Sequence, residues 1–214
     1  MRPTVAPFFH QPTGTWTYVV SDPASRDAAV IDPVLDYDWR SARTGTASAD
    51  AVLAHLAAEG LRLQWILETH AHADHLSSAA YVQARAGGRM AIGAGIRQVQ
   101  ATFKRIFGLG EEFVPDGRQF DRLLADGDTI ELGGIHGGVI ATPGHTSDSV
   151  SYLFGDALFV GDTIFMPDGG SARCDFPGGD AAELYRSVQR LYALPEATRV
   201  FVCHDYSPGG RAPL

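Results

Sequence analysis

The sequence is poor in cysteine and has no long apolar run. Its two cysteines, Cys174 and Cys203, are too few for the disulfide framework of a small secreted protein. No stretch approaches the roughly 20 apolar residues that cross a bilayer, and residues 1–7 lack the apolar segment of a signal peptide. These absences predict a cytoplasmic protein that has no membrane partner.

Positive charge is scarce as well. The chain has 17 Lys and Arg residues against 25 Asp and Glu, which gives a net charge of −8 with neutral histidines. This acidic balance argues against nucleic acid as a partner, although a local arginine cluster can still hold a small anion. At 214 residues the chain can bury a sizeable core, and no linker or low-complexity segment divides it. We therefore expect a single domain over residues 1–214.

Strand-like and helix-like segments occur in both halves of the chain. Alternating or β-branched runs predict strands at 16–20, 28–31, 64–69, 129–132, 139–141, 151–154, 158–160 and 200–203. Strand-rich halves that each carry helices predict two packed sheets with helices outside.

Capping residues set the expected helix boundaries. Asp50 is expected to cap the first helix after a loop over residues 41–49, and Asp180 is expected to cap the last helix. Between them, Ser77 or Ser78 is expected to cap a helix that runs through residue 86, and another helix is predicted over about 96–107. The latter places three apolar residues on one face: Val99, Phe103 and Ile106.

Residues 69–75, Thr-His-Ala-His-Ala-Asp-His, are dense in side chains that bind metals. Four of them can donate an imidazole nitrogen or a carboxylate oxygen: His70, His72, Asp74 and His75. Packing alone does not explain this run, because such groups are costly to bury unless something satisfies them. The run follows an expected strand, and α/β folds place their chemistry in loops at strand ends. We therefore expect metal binding here.

Three further candidate ligands follow later strands: His145, Asp162 and His204. A single histidine in such a place is more often a hydrogen-bonded core or surface residue. Five of the eight histidines lie at strand ends, however, and together they favour a metal centre. The other three, His10, His55 and His136, lack such surroundings and are expected to be structural.

In order and separation these residues resemble the five-part signature of the metallo-β-lactamase superfamily. The resemblance implies an αββα sandwich of the α+β or α/β class, with two mixed sheets, helices outside and metal at one edge between the sheets. In dinuclear members, positions such as His70, His72 and His145 hold one ion. The second ion is held at positions such as Asp74, His75 and His204, with an aspartate such as Asp162 bridging.

The segment 171–176, Ser-Ala-Arg-Cys-Asp-Phe, is similar to the stretch that persulfide (sulfur) dioxygenases carry after the bridging aspartate. The loop at residues 70–79, which carries the first candidate ligands and is called the metal loop below, also resembles that family, as does the closing His-Asp-Tyr at 204–206. The segments 32–38 and 174–180 resemble the bacterial β-lactamase hydrolase-like subgroup, which is linked to sulfide detoxification. His72 argues against the flavodiiron oxygen reductases, and the acidic charge argues against the nucleases of the superfamily.

This resemblance implies one Fe(2+) per chain, bound by His70, His145 and Asp162, with three open positions for substrate and O2. Glutathione persulfide, or a related low-molecular-weight persulfide, is the expected substrate, with sulfite and the thiol as products. Arg173 is expected to hold the anionic substrate, and Tyr206 to place a phenol near it. The alternatives are a surface ion pair of Arg173 with Asp175 or Asp180, and a half-buried Tyr206 that bonds to the backbone. The remaining candidates then orient ligands and waters around the metal: His72, Asp74, His75 and His204.

Two other functions stay open. Because all seven candidate ligands are present, the chain can instead be a dinuclear hydrolase of the glyoxalase II (thioesterase) type, with two Zn(2+) per chain. A non-catalytic reading is a metal-stabilised sensor or a partner module, and a homodimer is one candidate assembly. Relatives continue with a helical segment after the final motif, whereas this chain ends ten residues after His204. The expectation is a domain without that segment, which weakens the inference of glutathione binding.

Overall fold

The computed structural model describes residues 2–211. Its strands are β1 (Thr4–His10), β2 (Thr15–Ser21), β3 (Asp27–Ile31), β4 (Val34–Asp38), β5 (Arg43–Gly45), β6 (Arg62–Leu67), β7 (Leu76–Ser77), β8 (Arg89–Gly93), β9 (Arg122–Leu124), β10 (Thr129–Leu132), β11 (Ile135–Ala141), β12 (Val150–Phe154), β13 (Ala157–Phe159) and β14 (Arg199–Phe201). Its helices are α1 (Ala47–Ala58), α2 (Ala79–Ala86), α3 (Ile96–Phe107) and α4 (Ala181–Tyr192). The expected absence of a helical segment after the final motif concerns in part residues 212–214, which lie outside the described residues.

The strands form two mixed sheets and one small sheet. The first has the order β1-β2-β3-β6-β8-β9, antiparallel from β1 to β3 and parallel from β3 to β9. The second has the order β10-β11-β12-β13-β14 and is antiparallel except for its last pair. A small sheet, β5-β4-β7, lies beside the loop that carries the histidines.

Alternation along the strands divides the first sheet between two hydrophobic cores. On β2, Tyr18 and Val20 pack in the core between the two sheets, against Tyr152 and Phe159 of the second sheet. Val19 points to the opposite face of the first sheet. There it joins apolar side chains of α1 and α2 in a second core, among them Val52, Leu56 and Val82.

Helix α4 packs beside the second sheet. Leu191 joins the core between the sheets, and the Ser187 hydroxyl donates to the carbonyl of Pro143. The predicted arrangement of two mixed sheets with helices outside is therefore confirmed. Across residues 2–211, no helix has both the length and the apolarity needed to cross a membrane.

The start of α1 differs from the prediction. The helix begins at Ala47, with Thr46 in the capping position, so Asp50 lies inside the first turn and residues 41–49 are not all loop. A carboxylate from another strand explains the earlier start. Asp36 on β4 accepts hydrogen bonds from the Ser48 backbone N–H (3.0 Å) and hydroxyl (2.6 Å). Asp36 thereby accepts from a backbone N–H at the start of the helix that has no partner within the helix.

The other helix predictions agree with the structure. Asp180 caps α4, with its side chain accepting from the N–H groups of Ala182 and Glu183. Of the two candidate caps of α2, Ser78 holds the capping position, and the helix ends at Ala86 as predicted. Helix α3 has the predicted bounds. The apolar face of α3 is not part of either core, however, and Ile106 is 49% exposed.

We expect Asp36→Ala to lower the free energy of unfolding by about 1–2 kcal/mol, because the first turn of α1 loses its capping carboxylate. Urea denaturation measures the change. The matched control is Asp38→Ala on the same strand, whose exposed carboxylate accepts bonds within its own turn. It is expected to cost less than about 0.5 kcal/mol. Equal losses in the two variants would show that Asp36 does not act as the cap.

Candidate metal centre

Ligand-type side chains from four strand ends meet at one edge of the two sheets. One group, His70, His145 and Asp162, has its ligand atoms within 4.8 Å of one another. A second group, Asp74, His75 and His204, meets the same limit. Six of the seven predicted ligands therefore fall into these two groups. His72 belongs to neither, and its ligand atoms group with Asp32 and Glu68 and, separately, with His75 and Cys203.

Asp162 lies between the two groups. Its Oδ2 is 3.8 Å from Nε2 of His70 and 3.6 Å from Nε2 of His145. Its Oδ1 is 3.4 Å from Nε2 of His204. One carboxylate thus faces both groups with different oxygens.

Backbone carbonyls fix the protonation of two imidazoles. Nδ1 of His145 lies 2.6 Å from the carbonyl oxygen of Arg173, and Nδ1 of His75 lies 3.2 Å from that of Leu76. A carbonyl can only accept, so Nδ1 of each ring must carry the proton. Nε2 of each ring is then left with a lone pair for a metal.

A relay through Thr69 does the same for His70. The Thr69 hydroxyl donates to Oδ2 of the buried Asp32 (2.8 Å), so its oxygen accepts from Nδ1 of His70 (2.9 Å). This close packing needs a glycine at position 161, whose φ is +53° and whose added Cβ would lie 2.6 Å from the Thr69 oxygen. Nε2 of His70 is therefore also available as a ligand.

The buried polar atoms that lack a partner fit a metal. They include Nε2 of His70, His75 and His204 and Oδ1 of Asp162. Unsatisfied buried groups of this kind are rare in native proteins, because each costs free energy. Imidazole nitrogens and a carboxylate oxygen facing one another are the donor set of zinc and iron sites. These residues could therefore hold a metal ion.

Burial sets the charge of these groups. It lowers the pKa of His70 well below the ordinary value, and the neighbouring histidines His72 and His145 act in the same direction. It also lowers the pKa of His75. For Asp162, burial raises the pKa, with the nearby histidines opposing. Neutral imidazoles and a carboxylate that loses hydration suit a site where a cation supplies the missing charge.

His72 has a different arrangement. Its Nε2 lies 3.1 Å from Oδ1 of Asp32 and 3.2 Å from Oε2 of Glu68. Burial disfavours the charged ring, yet these two carboxylates outweigh it and raise the pKa of His72 well above its ordinary value. Nδ1 is buried and has no partner. His72 is thus held by two carboxylates, outside both groups of ligand atoms.

Three buried acidic residues that support the metal loop were not predicted. Besides Asp32 and Glu68, Asp148 accepts a hydrogen bond from the backbone N–H of Ala71 at 2.8 Å. Asp32 and Glu68 directly follow the buried runs of β3 and β6, and a charged residue at the end of such a run is a usable signal. Asp148 carries no comparable signal.

The two predicted substrate residues line a cavity of about 410 Å³ beside Asp74, His145 and Asp162. The Arg173 guanidinium is bound through Nε and Nη2 to Asp175, at 2.6 and 2.7 Å. The Tyr206 ring stacks on that of His204, with centroids 5.6 Å apart.

The histidines expected to be structural lie outside the two ligand groups. His10 is buried, with Nδ1 on the Thr13 hydroxyl and Nε2 3.3 Å from Asp36. Cys203 is buried, and burial raises the pKa of its thiol well above the ordinary value.

A family model described as the metallo-beta-lactamase superfamily matches residues 10–204. A probable metallo-hydrolase of Burkholderia pseudomallei is 52% identical, over 98% of this chain and 74% of its own length. A beta-lactamase hydrolase-like protein of Xylella fastidiosa is 49% identical over 99% of this chain, which spans about half (49%) of that relative. The crystal structure of ETHE1 from Myxococcus xanthus superposes with a TM-score of 0.75 at 31% identity, over 95% of this chain and 76% of that one.

Other relatives carry names of two different activities. A protein of Dictyostelium discoideum named glyoxylase B2 is 45% identical, over 93% of this chain and 69% of its own length. The human mitochondrial persulfide dioxygenase ETHE1 is 32% identical, over 90% of this chain and 64% of its own length. The names of these relatives are therefore compatible with both hydrolysis and oxygenation.

Added Zn(II) or Fe(II) is expected to raise the thermal unfolding midpoint. A ligand at 100 times its dissociation constant stabilises the folded state by about 2.7 kcal/mol, or roughly 5–10 °C for a chain of this size. Asp162→Ala should lose most of this rise, since that carboxylate faces both groups, whereas exposed His136→Ala should keep it. Differential scanning calorimetry gives the comparison, and a full rise in Asp162→Ala would place the metal elsewhere.

Proposed function

The chain belongs to the metallo-β-lactamase superfamily of metal-dependent enzymes, and from that premise we propose that it is a persulfide dioxygenase. In this proposal one Fe(II) is held by His70, His145 and Asp162. Glutathione persulfide, or a related low-molecular-weight persulfide, is the substrate. The human persulfide dioxygenase and the Myxococcus ETHE1 structure support the proposal at 32% and 31% identity.

The observation that carries the proposal is the division of the ligand atoms. Two imidazoles and one carboxylate lie within 4.8 Å of one another, whereas His72 is engaged by Asp32 and Glu68. Two histidines and one carboxylate are the ligand set of non-haem Fe(II) oxygenases, in which three positions stay open for substrate and O2. A dinuclear zinc site would instead require His72 as a third imidazole on the first ion.

The reaction balances with one water. One persulfide, one O2 and one water give one thiol, one hydrogen sulfite and one proton. The outer sulfur loses four electrons and O2 gains four, the S–S bond breaks, and the thiol keeps the inner sulfur. Bound Fe(II) would supply the redox chemistry that lets O2 react with a closed-shell persulfide.

The residues of the cavity have defined tasks in this proposal. The carbonyl of Arg173 and the hydroxyl of Thr69 keep Nε2 of His145 and His70 directed at the metal. Burial and the carboxylates of Asp162 and Asp74 raise the pKa of Tyr206 to about 12, so at neutral pH its phenol remains a hydrogen-bond donor. Nε and Nη2 of Arg173 donate to Asp175. The remaining N–H groups of the Arg173 guanidinium can bind the anionic end of a substrate.

One specific observation favours a second candidate, a dinuclear hydrolase of the glyoxalase II type. Asp162 faces His70 and His145 with one oxygen and His204 with the other, as a bridging carboxylate would. The relative named glyoxylase B2 supports this candidate. In it, Asp74, His75 and His204 would hold a second Zn(II) and activate water for attack on a thioester.

Metal content and substrate together separate the two functions. For the dioxygenase, protein purified without chelator should contain about one iron per chain and consume O2 with glutathione persulfide, at about one O2 per thiol released. Plasma emission spectrometry and an oxygen electrode measure these. Two zincs per chain with hydrolysis of S-lactoylglutathione would support the hydrolase and overturn the proposal. Bound metal without turnover of either substrate would favour the non-catalytic reading.

A pair of substitutions tests the role of His72. His72→Ala should keep most of the bound iron, because His72 lies outside the ligand triad of His70, His145 and Asp162. The matched variant His145→Ala should lose most of it. Iron per chain, measured at equal protein concentration, gives the result. Loss of iron from both variants would make His72 a ligand and favour the dinuclear site.

A further inference from the structure

A second cavity, of about 330 Å³, opens onto the metal centre from the side of α3. We call it the α3 cavity. It shares Ala73, His145 and Phe176 with the larger cavity that contains Arg173 and Tyr206. A molecule bound at the metal can therefore extend into either space.

The two cavities differ in charge. The larger one is lined by Asp74, Asp162 and Arg173. Among residues 2–211, those that line the α3 cavity carry no carboxylate, ammonium or guanidinium group. Most are apolar: Val99, Phe103, Phe107, Phe176 and Pro177. The two imidazoles of the α3 cavity are those of His145 and of His72, whose ring contacts Asp32 and Glu68. Glutathione carries two carboxylates and an ammonium group, and beyond these two rings it finds no charged partner in such a space.

Helix α3 exposes apolar side chains that a surface helix normally buries. Phe107 is 67% exposed, and its ring lies 5.5 Å from that of Phe103. The buried residues of the helix are Ile96 and Thr102, at a different part of its surface. Clustered exposed apolar groups beside a concave site are typical of ligand-binding surfaces.

Phe176 connects this surface to the reacting atoms. Its ring meets that of His145 edge to face, with centroids 5.2 Å apart. The Arg173 guanidinium lies 4.9 Å from the centre of the same ring. Phe176 therefore marks the boundary between the charged and the apolar cavity, directly beside a ligand of the triad.

We propose that the α3 cavity is the subsite for an apolar arm of the substrate. The outer sulfur, which reacts, would lie at the metal, and the alkyl or aryl group carried by the inner sulfur packs against Val99, Phe103 and Phe107. The inference rests on the proposed function and narrows its substrate class to apolar persulfides, which are preferred over glutathione persulfide. A cavity of about 150 Å³ holds benzene, so 330 Å³ accommodates a hexyl or benzyl group.

Direct binding tests the subsite without turnover. The probes are ethanethiol, butanethiol and hexanethiol, titrated calorimetrically under nitrogen into the protein as purified. Affinity should rise about fourfold for each added methylene, because burial of one CH2 is worth about 0.8 kcal/mol. Glutathione should bind more weakly than hexanethiol. Equal affinity along the series would overturn the inference.

Variants on α3 locate the effect. Val99→Asp places a charge in the cavity, and Val99→Trp fills it without one, so both should remove the dependence on chain length. Ile106→Asp is the matched control, because Ile106 is exposed on the same helix and does not line the cavity. Chain-length dependence that persists in both Val99 variants would place the apolar arm elsewhere.

Oxygen uptake with ethyl, butyl, hexyl and glutathione persulfides distinguishes failure of the subsite from failure of the proposed function. Thiol binding that increases with chain length, without uptake of O2 for any persulfide, would overturn the dioxygenase and leave the subsite standing. Oxygen uptake that is fastest with glutathione persulfide, without chain-length dependence, would overturn the subsite and leave the dioxygenase standing. A dimer in sedimentation that Val99→Asp dissociates, while Ile106→Asp does not, would make this face an interface between two copies and overturn the subsite.

Discussion

The buried carboxylate of Asp32 is the interaction on which the metal centre depends. It accepts hydrogen bonds from the backbone N–H and the hydroxyl of Thr69, at 2.7 and 2.8 Å, and lies 3.1 Å from Nε2 of His72. These bonds join the end of β3 to the loop after β6. They offset the cost of burying the charge, which would otherwise raise the pKa of Asp32; the result is a lowered pKa. Asp32 adopts a φ of +49°, in the left-handed region that aspartate enters more readily than most residues other than glycine.

The same carboxylate acts in opposite ways on two histidines. Through the Thr69 hydroxyl it sets the tautomer of His70, so that Nε2 is available to a metal. By direct contact, together with Glu68, it engages Nε2 of His72. The run of histidines is therefore not a set of equivalent ligands. This difference in orientation, more than the number of ligand-type residues, underlies the choice between one metal and two.

Features that are determined by residues close together in the chain could be predicted from the sequence, whereas features that depend on residues from distant segments could not. The metal loop was visible because its ligand types are adjacent in the chain, and the cap of α4 was correct because Asp180 bonds to N–H groups two and three residues away. The start of α1 was wrong because its carboxylate, Asp36, comes from another strand. The partners of His72 depend on packing between the ends of β3 and β6. The periodicity of α3 predicted an apolar face but not that this face lines a cavity beside the metal centre instead of a core.

In the function proposed here, one metal ion binds at His70, His145 and Asp162 while His72 remains with Asp32 and Glu68. A crystal structure of the protein loaded with iron, with anomalous data collected on both sides of the iron absorption edge, tests it most directly. We expect one anomalous peak, in contact with these three residues, and Nε2 of His72 still hydrogen-bonded to the carboxylates. Two peaks about 3.5–4 Å apart, with His72 bound to the first ion and Asp74, His75 and His204 around the second, would contradict it.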